Sequence, residues 1–133
     1  LGLPEEAEVA LLATDDARIK LLNADFRDKD VATNVLSWPA EDLSSDISGG
    51  QPLRPETDFP DEPVFLGDIA LAWETCAMEA DKAGKAIEAH VCHLVVHGLL
   101  HLLGYDHISD EDALLMERIE IEILGKLGLP DPY

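Results

Sequence analysis

The sequence predicts an α+β fold, a small mixed β-sheet packed with helices, and three observations carry that prediction. Three short β-branched or apolar runs occur before residue 72, and the first two are separated by a helical pattern. From Ala72 onward the apolar residues recur at helical spacing. All five histidines fall between residues 90 and 107, inside that helical half. At 133 residues the chain is expected to form a single domain spanning 1–133. A domain of that size buries roughly two-thirds of its unfolded surface, so one core is expected and no second.

Residues 8–13 read as a strand, and Thr14 as the N-cap of a helix with an Ile19, Leu22 and Phe26 stripe. Asp15 and Asp16 suit the positive end of that helix. Residues 33–38, rich in β-branched and aromatic side chains and closed by Pro39, predict a second strand, and residues 64–71 a third. Between them, residues 40–63 hold Ser44-Ser45, Gly49-Gly50 and four prolines with no sustained period. So long a loop is a substrate-facing lid or a disordered segment. Trp73, Cys76, Ala77 and Ala80 form a helical stripe that breaks at Gly84, and residues 87–103 form the histidine helix. Ser109 starts the last helix, with Asp112 three residues on as a capping-box partner. Leu115, Met116, Ile119, Ile123 and Leu127 supply its buried face, leaving Glu117, Glu120 and Glu122 in water.

Cys76 and Cys92 are isolated, which argues against a disulfide framework and for a reducing compartment. No stretch approaches the length of about 18 apolar residues needed to span a membrane, so a cytoplasmic protein is expected. The net charge of −19 lacks the basic footprint of a generic nucleic-acid binder. Its nine basic residues are scattered, apart from Arg18 with Lys20 and Arg27 with Lys29.

His97 and His101, four apart on a helix, differ by about 40° around the axis and about 6 Å along it, so both imidazoles can reach one ion. Gly104 can adopt a positive φ that turns the chain back and delivers His107 as a third ligand. The fourth coordination position stays open. His90, His93, His97 and His101 share one face, with Val95, Leu99, Leu102 and Leu103 opposite. His90 reads as structural, while His93 suits either a structural role or support of substrate and ligands. Asp106 could orient a ligand imidazole or cap the turn. The spacing H-x-x-x-H-x-x-G-x-x-H matches the metzincin proteases, but their general-base glutamate is Gly98 here. That substitution disfavours peptide hydrolysis. A three-histidine zinc still lowers the pKa of water to about 7 and polarises a phosphoryl oxygen.

Residues 97–107 match the H-G-x-L-H-L-x-G-Y-D-H signature of the YbeY-type metal-dependent endoribonucleases throughout. Arg27-Asp28-Lys29-Asp30 through Thr33-Asn34-Val35-Leu36-Ser37-Trp38-Pro39 resembles that family's R-G-K-D-x-x-T-[DN]-V-L-S-F-P block, and Leu66-Gly67-Asp68-Ile69 its L-G-D-I strand. Asp28 departs from glycine, Val31-Ala32 from Lys-Pro and Trp38 from phenylalanine. The resemblance implies a zincin-like fold and one zinc held by His97, His101 and His107. It also implies a catalytic Arg27 that contacts RNA phosphate; without it, Arg27 reads as a surface residue at a helix end. It further implies zinc-dependent cleavage of single-stranded RNA in ribosomal RNA maturation and ribosome quality control. A small-subunit ribosomal protein and an assembly GTPase are the implied partners. The family's first strand and helix are expected to be absent from this sequence. A ribosome-assembly factor with a structural metal and a zinc peptide hydrolase are the competing readings.

Overall fold

A computed structural model describes residues 7–27, 34–53, 63–107 and 109–133, the side chains of 25–27 excepted. In chain order the elements are β1 (Ala7–Thr14), α1 (Asp16–Arg27), β2 (Val35–Pro39), β3 (Val64–Ala72), α2 (Trp73–Ala83), α3 (Ile87–Leu102) and α4 (Asp110–Lys126). The fold is α+β, with a mixed three-stranded sheet in the order β1-β3-β2. β3 runs parallel to β1 and antiparallel to β2.

As the central strand, β3 is apolar along most of its length and buries Val64, Leu66, Ile69, Ala70, Leu71 and Ala72. Ile69 and Ala70 are successive residues, so their side chains leave opposite faces of the sheet. Ile69 joins Leu66, Val96, Leu100 and Leu102 in the core between sheet and α3. Ala70 joins Ile19, Leu36 and Ala72 beneath α1. α4 closes the larger core from the far side through Met116 and Leu124.

Local expectations on α1, α4 and α3 are corrected. Thr14 is not the cap of α1 but the last residue of β1, paired with Ala72. The capping carboxylate belongs to Asp15, which accepts the Arg18 amide at 2.8 Å. On α4, Leu127 lies past the last helical residue and is 61% exposed, whereas Glu120, expected in water, is fully buried. Opposite the imidazoles, Leu102 and the following Leu103 are buried as expected, but Val95 and Leu99 are only half-buried, and Leu94, Val96 and Leu100 are buried in their stead. The helix is enclosed from its flanks by sheet and helices. Ser109 does cap α4, its hydroxyl accepting the Asp112 amide at 3.1 Å.

Within the long connection, residues 40–53 are tethered. The Leu53 amide donates to the Leu43 carbonyl at 2.7 Å, and the Gly49 amide to Asp112 Oδ1 at 2.7 Å. Residues 54–62 of the expected lid lie outside the described residues.

Candidate metal centre

α3 stacks His90, His93, His97 and His101 along one face, with successive ring centroids 6.4, 6.2 and 4.6 Å apart. After Leu102 the chain must reverse sharply to return a further side chain to that face. Gly104 makes this possible with φ of 100°. A Cβ there would lie 2.6 Å from the carbonyl carbon of Leu43 and 2.9 Å from Pro52 Cβ, so the turn also needs glycine for space. The reversal brings the His107 ring within 5.7 Å of His97 and 5.2 Å of His101, centroid to centroid. One ring nitrogen from each of the three lies within 4.8 Å of the others.

The outer nitrogens of two of these rings are committed. His97 Nδ1 meets Glu120 Oε1 at 2.5 Å, and His101 Nδ1 meets the Tyr105 carbonyl oxygen at 3.0 Å. Carboxylate and carbonyl oxygens only accept, so both Nδ1 atoms carry protons. In the neutral rings both Nε2 atoms therefore present lone pairs, and they face each other at 3.0 Å. Two acceptors so placed repel unless a cation lies between them. The donor set, three imidazoles with second-nitrogen partners on two of them, fits a zinc ion. Burial, then the neighbouring His97, lowers the His101 pKa, which keeps this ring neutral and able to ligate.

Behind His97, Glu120 accepts from three donors: His97 Nδ1, His93 Nε2 at 3.1 Å and the Tyr133 hydroxyl. Burial alone would raise its pKa. The three hydrogen bonds outweigh burial and bring it down to about 2, so Glu120 is a carboxylate. His93, His97 and Glu120 also have ligand atoms within 4.8 Å of one another. That carboxylate is already engaged by donors and closed to solvent, so the open set is the one that includes His107.

The three histidines border a cleft of about 580 Å³, completed by Asn34 and Ser37 of the β2 region and by Asp42 and Ser44 of the tethered loop. Its described lining contains Glu41, Asp42 and Asp106 but no lysine or arginine. Asp106 accepts the His107 amide at 2.8 Å and so braces the turn. His90 turns to Glu79, 3.1 Å away. Arg27 ends α1, and its side chain lies outside the described residues. Gly98 faces the sheet: a Cβ there would sit 3.3 Å from Ile69. Glu120 and Tyr133 escaped sequence reasoning. The available signal was that Glu120 falls at four-residue steps between Met116 and Leu124, on a buried stripe.

A family model described as Endoribonuclease YbeY matches residues 1–128. A Ruegeria pomeroyi protein named Endoribonuclease YbeY is 65% identical over 134 residues, covering 100% of this chain and 81% of the relative. Its namesake from Ruegeria sp. strain TM1040 is 59% identical, covering 97% of this chain and 75% of the relative. A solution structure from Thermotoga maritima shares the fold with a TM-score of 0.53 at 23% identity, covering 92% of this chain and 72% of that one.

Proposed function

The chain belongs to the endoribonuclease YbeY family, and we propose that it is a zinc-dependent single-strand endoribonuclease of ribosomal RNA maturation and ribosome quality control. The observation that carries this reading is the convergence of His97, His101 and His107 on one point at the floor of an open cleft. In it, residues 1–133 act as one metallohydrolase domain that binds one zinc. Zinc, when bound, supplies Lewis acidity that polarises a phosphoryl oxygen and acidifies water.

The protein's own residues hold and orient. His97 and His101 are fixed with Nε2 toward the cleft by Glu120 and the Tyr105 carbonyl. His107 is held by the Gly104 turn and the Asp106 brace. Phosphodiester cleavage builds negative charge on non-bridging oxygens, and that charge needs cations around it. The described cleft wall is acidic, so besides the metal the charge must come from elsewhere in the chain. Arg27, at the end of α1, is the residue proposed for that clamp, since its planar guanidinium can hold two phosphate oxygens at once.

Single-stranded segments of ribosomal RNA are the proposed substrate, in the cytoplasm. With a net charge of −19, docking on a preribosome through a small-subunit ribosomal protein and an assembly GTPase fits better than capture of bare RNA. No helix among the described residues is long and apolar enough to cross a membrane. The test is cleavage of single-stranded ribosomal RNA by zinc-loaded protein beside the His97→Ala, His101→Ala double variant. Cleavage by the parent alone is expected. Equal cleavage by both would overturn the proposal.

A further inference from the structure

We propose that Glu120, held by the hydroxyl of Tyr133, is the positioning residue of the metal centre, so that the segment following α4 takes part in setting zinc affinity. The inference rests on the reading of His97 as a metal ligand. Glu120 is the one fully buried charged side chain among the described residues, and it sits on α4, whose other buried residues Met116 and Leu124 are apolar. A carboxylate in such a place is costly unless both oxygens accept hydrogen bonds. Here one oxygen takes the His97 Nδ1 proton, and the other takes His93 Nε2 and the Tyr133 hydroxyl.

Two consequences follow for His97. Its tautomer is set, because an acceptor behind Nδ1 leaves Nε2 unprotonated toward the cleft. Its ring is also made a stronger donor to a cation, since a carboxylate polarises the Nδ1–H bond. Neither effect arises with an apolar residue in the same space.

Tyr133 reaches Glu120 because the chain after α4 folds back. The Leu129 amide donates to the Leu124 carbonyl at 2.8 Å, and Lys85 Nζ donates to the Pro132 carbonyl at 3.4 Å. The Tyr133 ring then meets His93 edge-on, with centroids 5.6 Å apart. Burial and the adjoining Glu120 carboxylate raise the pKa of this phenol, which keeps it protonated and donating. Residues 127–133 thereby form a strap whose last side chain holds the carboxylate that holds a ligand.

The experiment is zinc affinity, measured by competition with a chromophoric chelator, for the whole parent chain, His101→Ala, Glu120→Gln and Tyr133→Phe. The Nδ1 proton of His97 is followed by NMR in the metal-free proteins. Glu120→Gln is expected to weaken zinc about 10–100-fold, and Tyr133→Phe by a smaller factor of about 2–10-fold. The His97 Nδ1 proton, far downfield in the parent against a carboxylate, should move upfield in Glu120→Gln. The shift reports the loss of the carboxylate behind Nδ1, and the accompanying loss of zinc affinity separates a positioning role from a merely structural one. Should Glu120→Gln fail to fold, Tyr133→Phe, which removes only the hydroxyl that donates to Glu120, carries the test. Parent-like affinity in Glu120→Gln and Tyr133→Phe, with His101→Ala defective, would overturn the inference and leave the metal reading standing. Zinc bound no better by the parent than by His101→Ala would overturn both.

Discussion

Replacing Gly104 with alanine should damage the centre without touching a ligand. The residue holds φ at 100°, where a side chain costs about 1–3 kcal/mol. The added Cβ would also stand 2.6 and 2.7 Å from the carbonyl carbon and oxygen of Leu43, which are backbone atoms of a buried residue and cannot swing aside. Overpacking of this kind costs about 1–3 kcal/mol more. The sum, about 2–6 kcal/mol, is a large part of the roughly 5–15 kcal/mol that stabilises a domain. For a chain of this size it corresponds to a fall in Tm of roughly 7–21 °C. Relief by moving the turn displaces His107 from the other two proposed ligands, so zinc affinity should fall as well. The assay is thermal unfolding in chelator, paired with zinc competition. Gly125→Ala is the control: this glycine lies in α4 with nothing within 4 Å of its would-be Cβ, so helix propensity should leave the variant as stable or slightly more so. A Gly104→Ala variant melting within about 2 °C of the parent and binding zinc as tightly would refute the reasoning.

Elemental analysis after dialysis should find one zinc per chain in the parent and a large loss in His107→Ala. Zinc should leave as pH falls through the imidazole range, because the ligating rings must be neutral to bind it; burial, then the neighbouring His97, lowers the His101 pKa and so moves its protonation to lower pH. Arg27→Lys should retain zinc and fold but lose most RNA cleavage, because lysine cannot copy the bidentate fork; unchanged kinetics in Arg27→Lys and Arg27→Ala would remove the residue from the mechanism. Of the two free thiols, exposed Cys92 should react quickly with a disulfide reagent, while buried Cys76 should react only on unfolding. Burial, with Glu79 and Asp16 nearby, raises the Cys76 pKa to about 11. Its contribution is therefore intact below the ordinary thiol value of 9.0 and is lost as pH climbs to about 11, by at most about 3 kcal/mol, which urea titrations across that range would detect.

The histidine helix was legible because its information is local. Four-residue spacing places His97 and His101 side by side, and the glycine in the next turn permits the reversal that returns His107. Strand and helix boundaries were likewise readable to within a residue or two, as at Thr14 and Asp15, since caps and β-branched runs are short-range signals. Glu120 was not legible in the same way. It lies among Glu117 and Glu122 on an acidic helix; its place on the Met116–Leu124 stripe hinted at burial, but the partners that hold a buried carboxylate there come from the docking of α4 against the imidazole face. The tether of Gly49 to Asp112 spans 63 positions, so composition could suggest a loop there but not that α4 holds it. Arg27 rests on motif resemblance and on the acidity of the described cleft wall.

Gly98 shows how packing shapes the chemistry open to this site. In the metzincin pattern the residue after the first ligand is the general-base glutamate. Here that position points at β3, and a Cβ would already stand 3.3 Å from two Ile69 atoms, before the rest of a glutamate is added. A longer side chain would press on Ile69 and strain the α3–β3 contact beside His97 and His101. The fully buried carboxylate instead comes from α4 and approaches His97 from behind, at Nδ1, away from the open face. Such a carboxylate can tune a ligand, but it cannot take a proton from water in the cleft without displacing the imidazole between them. The tight α3–β3 contact thus argues against base-assisted amide hydrolysis. It favours a reaction that needs Lewis acidity and cations around developing oxygen charge more than a carboxylate base, and phosphodiester cleavage meets that description.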